Sequence, residues 1–271
     1  MQAGFHTDIG LRQENQDNAL VDPELGLYAV ADGVGGGSAG EWASACAIQA
    51  LRQAVVEGLP LVDAVRAAHL AVEALQDWLG ASDAATTLVA AHIQNGELEY
   101  AWVGDSRLYV LQDRQLHQLT EDHTVARVLG DDERVSRHML TQALGAAPEE
   151  GLAVDSGTWP LTGSERLLLC SDGLYGALER DILFAEIVQP RQAQRTAEIL
   201  VARALAAGGD DNVTVVVLDS DPGEAGRDAV DTDRATMGGA VNDSERETPE
   251  KYIFFGILLA ILVFILIFFW A

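Results

Sequence analysis

Between residues 86 and 111 three strand-like runs follow one another, at 86–93, 98–103 and 107–111, with no room for a helix between them. Parallel neighbours need a crossover of about a dozen residues or more, so these runs are restricted to antiparallel pairing. Asn95-Gly96 joins the first two, and Asn-Gly between alternating runs marks a tight hairpin. The same grouping holds along the chain. Strand-like runs at 17–21 and 25–31 come first. Two helical patterns follow directly, one through Ala43, Ala47, Ala50, Leu51 and Ala54, the next through Val65, Ala68, Val72, Leu75 and Leu79, with Pro60 at the first turn of the second. An apolar run at 166–170, helices near 181–188 and 193–207 and a last strand at 213–218 complete the pattern. Strands grouped with strands and helices with helices predict an α+β fold on antiparallel sheets rather than a βαβ series.

The 271 residues carry 17 Lys and Arg against 42 Asp and Glu, a net charge of −25. A surface this acidic excludes a nucleic-acid binder that works through clustered Lys and Arg. An apolar content of 48% excludes a wholly disordered acidic chain. Two cysteines, Cys46 and Cys170, exclude a disulfide scaffold and read as small core residues of a reducing compartment.

No basic or apolar leader stands at Met1-Gln2-Ala3-Gly4-Phe5-His6, so no secretory signal is expected. Residues 252–271, in contrast, carry no charge and are nearly all Leu, Ile, Val and Phe. At a rise of about 1.5 Å per residue, roughly 20 residues reach across the hydrocarbon of a bilayer. Tyr252 and Trp270 mark its ends, where aromatic anchors belong. The expectation is one C-terminal transmembrane helix, a single-pass tail anchor that leaves the large N-terminal part, Arg246 and Lys251 in the cytoplasm at a bacterial inner membrane. Before it, residues 222–250 hold eight acidic residues, three basic ones and few large apolar side chains, the composition of a self-repelling linker. The expected division is therefore a globular domain at 1–221, a disordered acidic linker at 222–250 and a membrane anchor at 251–271. Thr232, Thr236, Ser244 and Thr248 in the linker read as polar linker composition.

Four Asp-containing segments border strands and carry small residues: Ala31-Asp32-Gly33, Gly104-Asp105-Ser106-Arg107, Ser171-Asp172-Gly173 and Gly209-Asp210-Asp211-Asn212. One Asp-Gly is an ordinary turn. Four at strand ends of one domain point to converging carboxylates, and carboxylates without His or Cys favour hard cations such as Mg²⁺ or Mn²⁺.

In order and wording these segments resemble the metal-dependent serine/threonine phosphatases of the PP2C (PPM) family. The similarity begins at Arg12-Gln13-Glu14-Asn15-Gln16-Asp17 and continues through Ala31-Asp32-Gly33-Val34-Gly35-Gly36, Ala85-Thr86-Thr87 and Val103-Gly104-Asp105-Ser106-Arg107. Leu119-Thr120-Glu121-Asp122-His123-Thr124, Leu140-Thr141-Gln142-Ala143-Leu144-Gly145, Ser171-Asp172-Gly173-Leu174 and Gly208-Gly209-Asp210-Asp211-Asn212-Val213-Thr214 follow in the family's order, spanning residues 4 to about 218. The resemblance implies an αββα sandwich, two antiparallel sheets flanked by helices. It implies two ions, Mn²⁺ or Mg²⁺, bound by Asp32, the Gly33 carbonyl, Asp172 and Asp211, with Asp17 acting mostly through coordinated water. Asp105 matches the ligand of a third, weaker metal in bacterial members, and Arg12 the arginine that binds the phosphate. The implied reaction is hydrolysis of phosphoserine and phosphothreonine on proteins without a covalent phospho-enzyme, opposing a cognate Ser/Thr kinase or acting on its targets. A membrane-tethered pseudo-phosphatase that only binds phosphoproteins is the alternative, and the complete set of aspartates with Arg12 favours catalysis.

Some positions depart from the family pattern. Val34 stands where some eukaryotic members carry His, Gly37 where many bacterial members carry His, and the segment between His123 and Leu140 is short. His123 and His138 read as structural or surface residues. Two local patterns compete for the glycine loop. Residues 35–40 fit G-x-G-x-x-G, but a second helix, not a parallel strand, follows the first. Residues 36–40 fit the G-x-S-x-G nucleophile elbow, but the strand is expected to stop near Ala31 rather than run into Ser38.

Overall fold

The computed structural model describes residues 1–36, 38–129, 139–146 and 151–220, all within the compact unit Met1–Ala225. In chain order the elements are β1 (Gln2–Asp8), β2 (Asp17–Asp22), β3 (Leu27–Val34), α1 (Ala39–Val56), α2 (Leu61–Leu79), β4 (Ala85–Thr86), β5 (Leu88–Gln94) and β6 (Glu97–Val103). They continue with β7 (Arg107–Gln112), β8 (Gln115–Gln118), α3 (Val125–Leu129), β9 (Asp155–Pro160), β10 (Arg166–Cys170), α4 (Asp172–Ala177), α5 (Arg180–Ile187), α6 (Ala193–Ala206) and β11 (Val213–Asp219). One sheet has the order β1-β11-β10-β7-β8; the other runs β2-β3-β5-β6-β9, with β4 paired to β3. Every described strand pair is antiparallel. Asn95 and Gly96 form the two-residue β5–β6 connection with φ of 52° and 76°, the double positive φ of a type I′ turn.

Period-two alternation builds three cores. Tyr28 and Val30 of β3, Val89 and Ala91 of β5, Leu108 and Val110 of β7, Leu167 and Leu169 of β10, and Val216 and Leu218 of β11 meet in one buried cluster between the sheets. Their neighbours point the other way. Ala29, Ala31, Leu88 and Ala90 bury against Ala43, Ala47 and Leu51 of α1 and Val65, Ala68 and Val72 of α2. Leu168, Cys170, Val213, Val215 and Val217 bury against Leu183 and Ile187 of α5 and Ala197, Leu200 and Val201 of α6. The expected sandwich of two antiparallel sheets flanked by helices is what forms. Small residues on the inner face of α1 let it lie close on β3. Cys170 is buried and Cys46 half-buried; burial pushes both thiols up to about 12, which leaves them inert.

Some expectations need correction. The strand expected to end near Ala31 runs on to Val34, so Asp32-Gly33 lies within β3 rather than in a turn after it. Pairing of Gly33 with Thr86 and of Val34 with Ala85 provides the extra ladder. Strands β1, β8 and β9 and the short α3 and α4 had no clear signature in the sequence. Pro60 is the residue before α2 rather than inside its first turn. The G-x-G-x-x-G reading fails as expected, since α2 follows α1 and no parallel strand follows either. Ser38 stands at the N-cap position of α1 and is separated from β3, so no nucleophile elbow forms. Gly37, His138 and most of the segment between Leu129 and Leu140 lie outside the described residues. So do the linker at 222–250 with its Ser and Thr, and the apolar run at 252–271. Among the described residues no helix is long and apolar enough to cross a membrane.

Candidate active site

Antiparallel register carries the aspartates to one end of the sandwich. Asp17 opens β2 directly opposite Asp32 of β3. In the other sheet Cys170 pairs with both Val215 and Arg107, and Asp8 pairs with Val213. The exit of β10 with Asp172, the approach to β11 with Asp211, the turn before β7 with Asp105 and the exit of β1 with Arg12 therefore lie side by side. Arg12, Asp32, Gly33, Asp105, Asp172 and Asp211 line one cleft of about 540 Å³, with Val34, Thr87, Leu140 and Asn212 on its walls. Gly33 is where β3 touches the start of α1: a Cβ there would stand 2.2 Å from the Gly40 carbonyl oxygen. No larger residue fits that approach.

Asp17 is buried at 7% exposure, behind the residues that line the cleft. Its Oδ2 accepts a 2.7 Å hydrogen bond from Ser171 Oγ, while its buried Oδ1 accepts none. Burial pushes its carboxyl up to about 7; hydrogen bonds from Ser171 and Thr214 oppose the shift, and Asp172 and Asp211 add to it. Asp32 is held well above the usual carboxylate range by burial and then by Asp17, Asp172, Asp105 and Asp211. Carboxylates that disfavour one another's ionisation, one with a buried oxygen lacking a donor, fit a hard divalent cation. Among the described residues no three such side chains close on a single point as a finished cage. An ion such as Mg²⁺ that keeps several waters needs only one or two carboxylates directly.

Arg12 stands at the rim with its side chain 56% exposed, and its Nη2 lies 2.7 Å from Asp211 Oδ2. Asp211, then Asp210 and Asp172, hold the guanidinium in its charged form. One nitrogen makes that pair, so the planar fork retains donors for a phosphoryl group.

Neighbouring residues whose partners the sequence does not show fix these groups. His123 accepts the Gly104 N–H on Nδ1 at 3.2 Å, donates its own N–H to Gly104 O at 3.0 Å, and accepts the Thr141 N–H on its carbonyl at 2.8 Å. It thus joins the Asp105 turn to the strip containing Leu140. Tyr175 Oη donates to Asp105 O at 2.9 Å, and its ring lies under Arg107, which grips Asp122 with two nitrogens at 2.9 and 2.6 Å. Thr87 Oγ1 accepts the Asp32 N–H at 3.1 Å and bonds Ser106 Oγ at 2.7 Å. Asn212 ties the loop of Arg12 to the turn of Asp211. The wording Ala-Thr-Thr, Asp-His and Asp-Asn beside the metal-type aspartates was the available signal for Thr87, His123 and Asn212. Val34 is an exposed residue on the cleft wall.

Comparison with known proteins agrees with this geometry. A family model described as protein phosphatase 2C matches residues 8–207. The serine/threonine phosphatase stp of Listeria monocytogenes serotype 4b is 33% identical over 253 residues, covering 84% of this chain and all of that one. The crystal structure of the Mycobacterium tuberculosis serine/threonine phosphatase PstP superposes with a TM-score of 0.72 at 32% identity, covering 81% of this chain and 98% of that one. A structure of the PstP catalytic domain in complex with two manganese ions gives 0.71 at 33% identity, covering 80% and 97%.

Proposed function

Because the chain belongs to the protein phosphatase 2C family of metal-dependent serine/threonine phosphatases, we propose that it hydrolyses phosphoserine and phosphothreonine on proteins at the cleft of Asp32, Asp172 and Asp211. The observation that carries this reading is the meeting of those three carboxylates, Asp105 and Arg12 on one cleft, with Asp17 buried beside them. Asp32, the Gly33 carbonyl, Asp172 and Asp211 would hold two Mn²⁺ or Mg²⁺ ions, Asp17 would act through coordinated water, and Asp105 would serve a third, weaker ion. The bound ions supply a water acidified toward neutral pH and neutralise phosphoryl charge.

The chain's own residues do the rest. Arg12 binds the phosphoryl oxygens at the rim and orients the ester, a task for a forked guanidinium that Lys would perform poorly. Burial favours the protonated forms of Asp17 and Asp32, and an arriving cation would compete with those protons. Hydrogen bonds from Ser171 to Asp17 and from Asp32 N–H to Thr87 keep that pair in place before any cation arrives. Support comes also from the two manganese ions in the PstP catalytic domain, whose fold this chain shares.

The apolar run at 252–271 would hold the domain at the inner face of a bacterial membrane, close to membrane-bound kinases or their targets. The test of the site is Asp32→Asn in the full-length chain. Mn²⁺-dependent hydrolysis of a phosphothreonine peptide should fall by about 100-fold or more, with loss of Mn²⁺ binding by calorimetry. Hydrolysis that survives the substitution contradicts the assigned site.

A further inference from the structure

Arg12 is carried by the loop between β1 and β2, whose two ends are fastened to the turn of Asp211 by one side chain. Asn212, 6% exposed, donates from Nδ2 to the carbonyl oxygens of Ile9 at 2.9 Å and Glu14 at 3.0 Å. Its Oδ1 accepts the N–H of Gln16 at 2.9 Å, and its own N–H donates to Asp211 Oδ1 at 2.8 Å. Both amide donors are spent on the loop, one before Arg12 and one after it. The loop is also tied by Gly10 N–H to Asp8, Arg12 N–H to Ile9 O and Asn15 Nδ2 to Thr7 Oγ1, by Gln16 O, which accepts from Gly33 N–H and Ser44 Oγ, and by the Arg12 guanidinium itself on Asp211.

We infer that Asn212 is the positioning residue that sets the phosphate-binding Arg12 against the carboxylates, acting through the backbone of residues 9–16. The inference rests on the reading that Arg12 binds the phosphoryl group. Only a side chain with two donors and an acceptor at this length satisfies Ile9, Glu14 and Gln16 together. Asp offers no donor when ionised, Ser a single one, and Gln is one methylene too long for a buried position.

The test is a double-mutant cycle of Asn212→Ala and Arg12→Ala in the full-length chain with Mn²⁺. It reads kcat and KM on a phosphothreonine peptide and inhibition by inorganic phosphate. Asn212→Ala should raise KM and weaken phosphate inhibition by about tenfold, with a smaller change in kcat, and should add at most about twofold once Arg12 is Ala. Effects that multiply in the double variant, or a fall in kcat alone, overturn the inference. Hydrogen exchange gives a second readout: residues 9–17 should exchange faster in Asn212→Ala while α1 and β5 stay protected. Uniformly faster exchange overturns it, even where the wild-type chain releases no phosphate and the phosphatase reading itself fails. Asn212→Ser replaces the Ala variant should that one not fold; loss of folding in both marks Asn212 as a plain core residue and also overturns the inference.

Discussion

Asp17 and Asp32 face each other across adjacent strands, an arrangement that works against the stability of the metal-free fold. A carboxyl whose folded pKa is raised, from 3.8 to about 7 for Asp17, contributes its stability below the unfolded pKa and loses it as pH rises through the folded one. Metal-free protein should therefore weaken between about pH 4 and pH 7 as the buried Asp17 carboxyl ionises. Asp17→Asn fixes the neutral form. In EDTA at neutral pH it should melt higher than wild type, by a ΔΔG on the order of 2–4 kcal/mol, while losing the stabilisation that Mn²⁺ confers on wild type. Thermal unfolding of both proteins with EDTA and with Mn²⁺ checks this; an Asn variant that melts lower in EDTA speaks against a cost of burying the ionised carboxylate. Asp32 was legible in the sequence from its small-residue Ala-Asp-Gly setting, and Asp17 only through the family resemblance of residues 12–17. The partners of the residues that position them were not. His123, Tyr175 and Asn212 act through backbone atoms of residues 19, 70 and up to 203 positions away, so the motifs that contain His123 and Asn212 do not show what each one holds.

At the scale of elements, the strands without a sequence signature share one cause. Strands β1, β8 and β9 are all sheet edges. An edge strand pairs on one side only and needs fewer apolar residues, so Gln2–Asp8, Gln115–Gln118 and Asp155–Pro160 show little alternation. Central strands β5, β7, β10 and β11 are covered on both faces and read as apolar runs from sequence alone. The connection from β9 to β10 shows a different device. Glu165 is buried there, and although burial raises its carboxyl, hydrogen bonds from Thr162, backbone N–H groups and Ser220 bring it down to about 2. It accepts from the N–H groups of Thr162, Gly163 and Ser164 at 2.8, 3.0 and 3.1 Å. A depressed pKa contributes stability above the unfolded value and loses it as pH falls toward the folded one. Glu165→Gln should cost about 1–3 kcal/mol at pH 7, and its deficit against wild type should shrink between about pH 4.5 and pH 2. Urea denaturation at several pH values measures this, and a deficit independent of pH would mean that the charge is not what matters.

For the whole molecule, the sandwich brings five chain-distant carboxylates to one end, and its order of elements was readable because antiparallel sheets leave strands next to strands. The net charge of −25 adds a field that should favour phosphopeptides with basic or neutral flanks over acidic ones. Fractionation of cells expressing the full chain should place it with membranes and release it on removal of residues 252–271; a full chain in the soluble fraction contradicts the anchor. The central claim concerns the chemistry. It is tested most directly by phosphate release from a phosphothreonine peptide by the full-length chain, with and without Mn²⁺, beside Asp172→Asn. The account predicts release that requires the metal and disappears in the variant. Release without metal, or undiminished in Asp172→Asn, would contradict it.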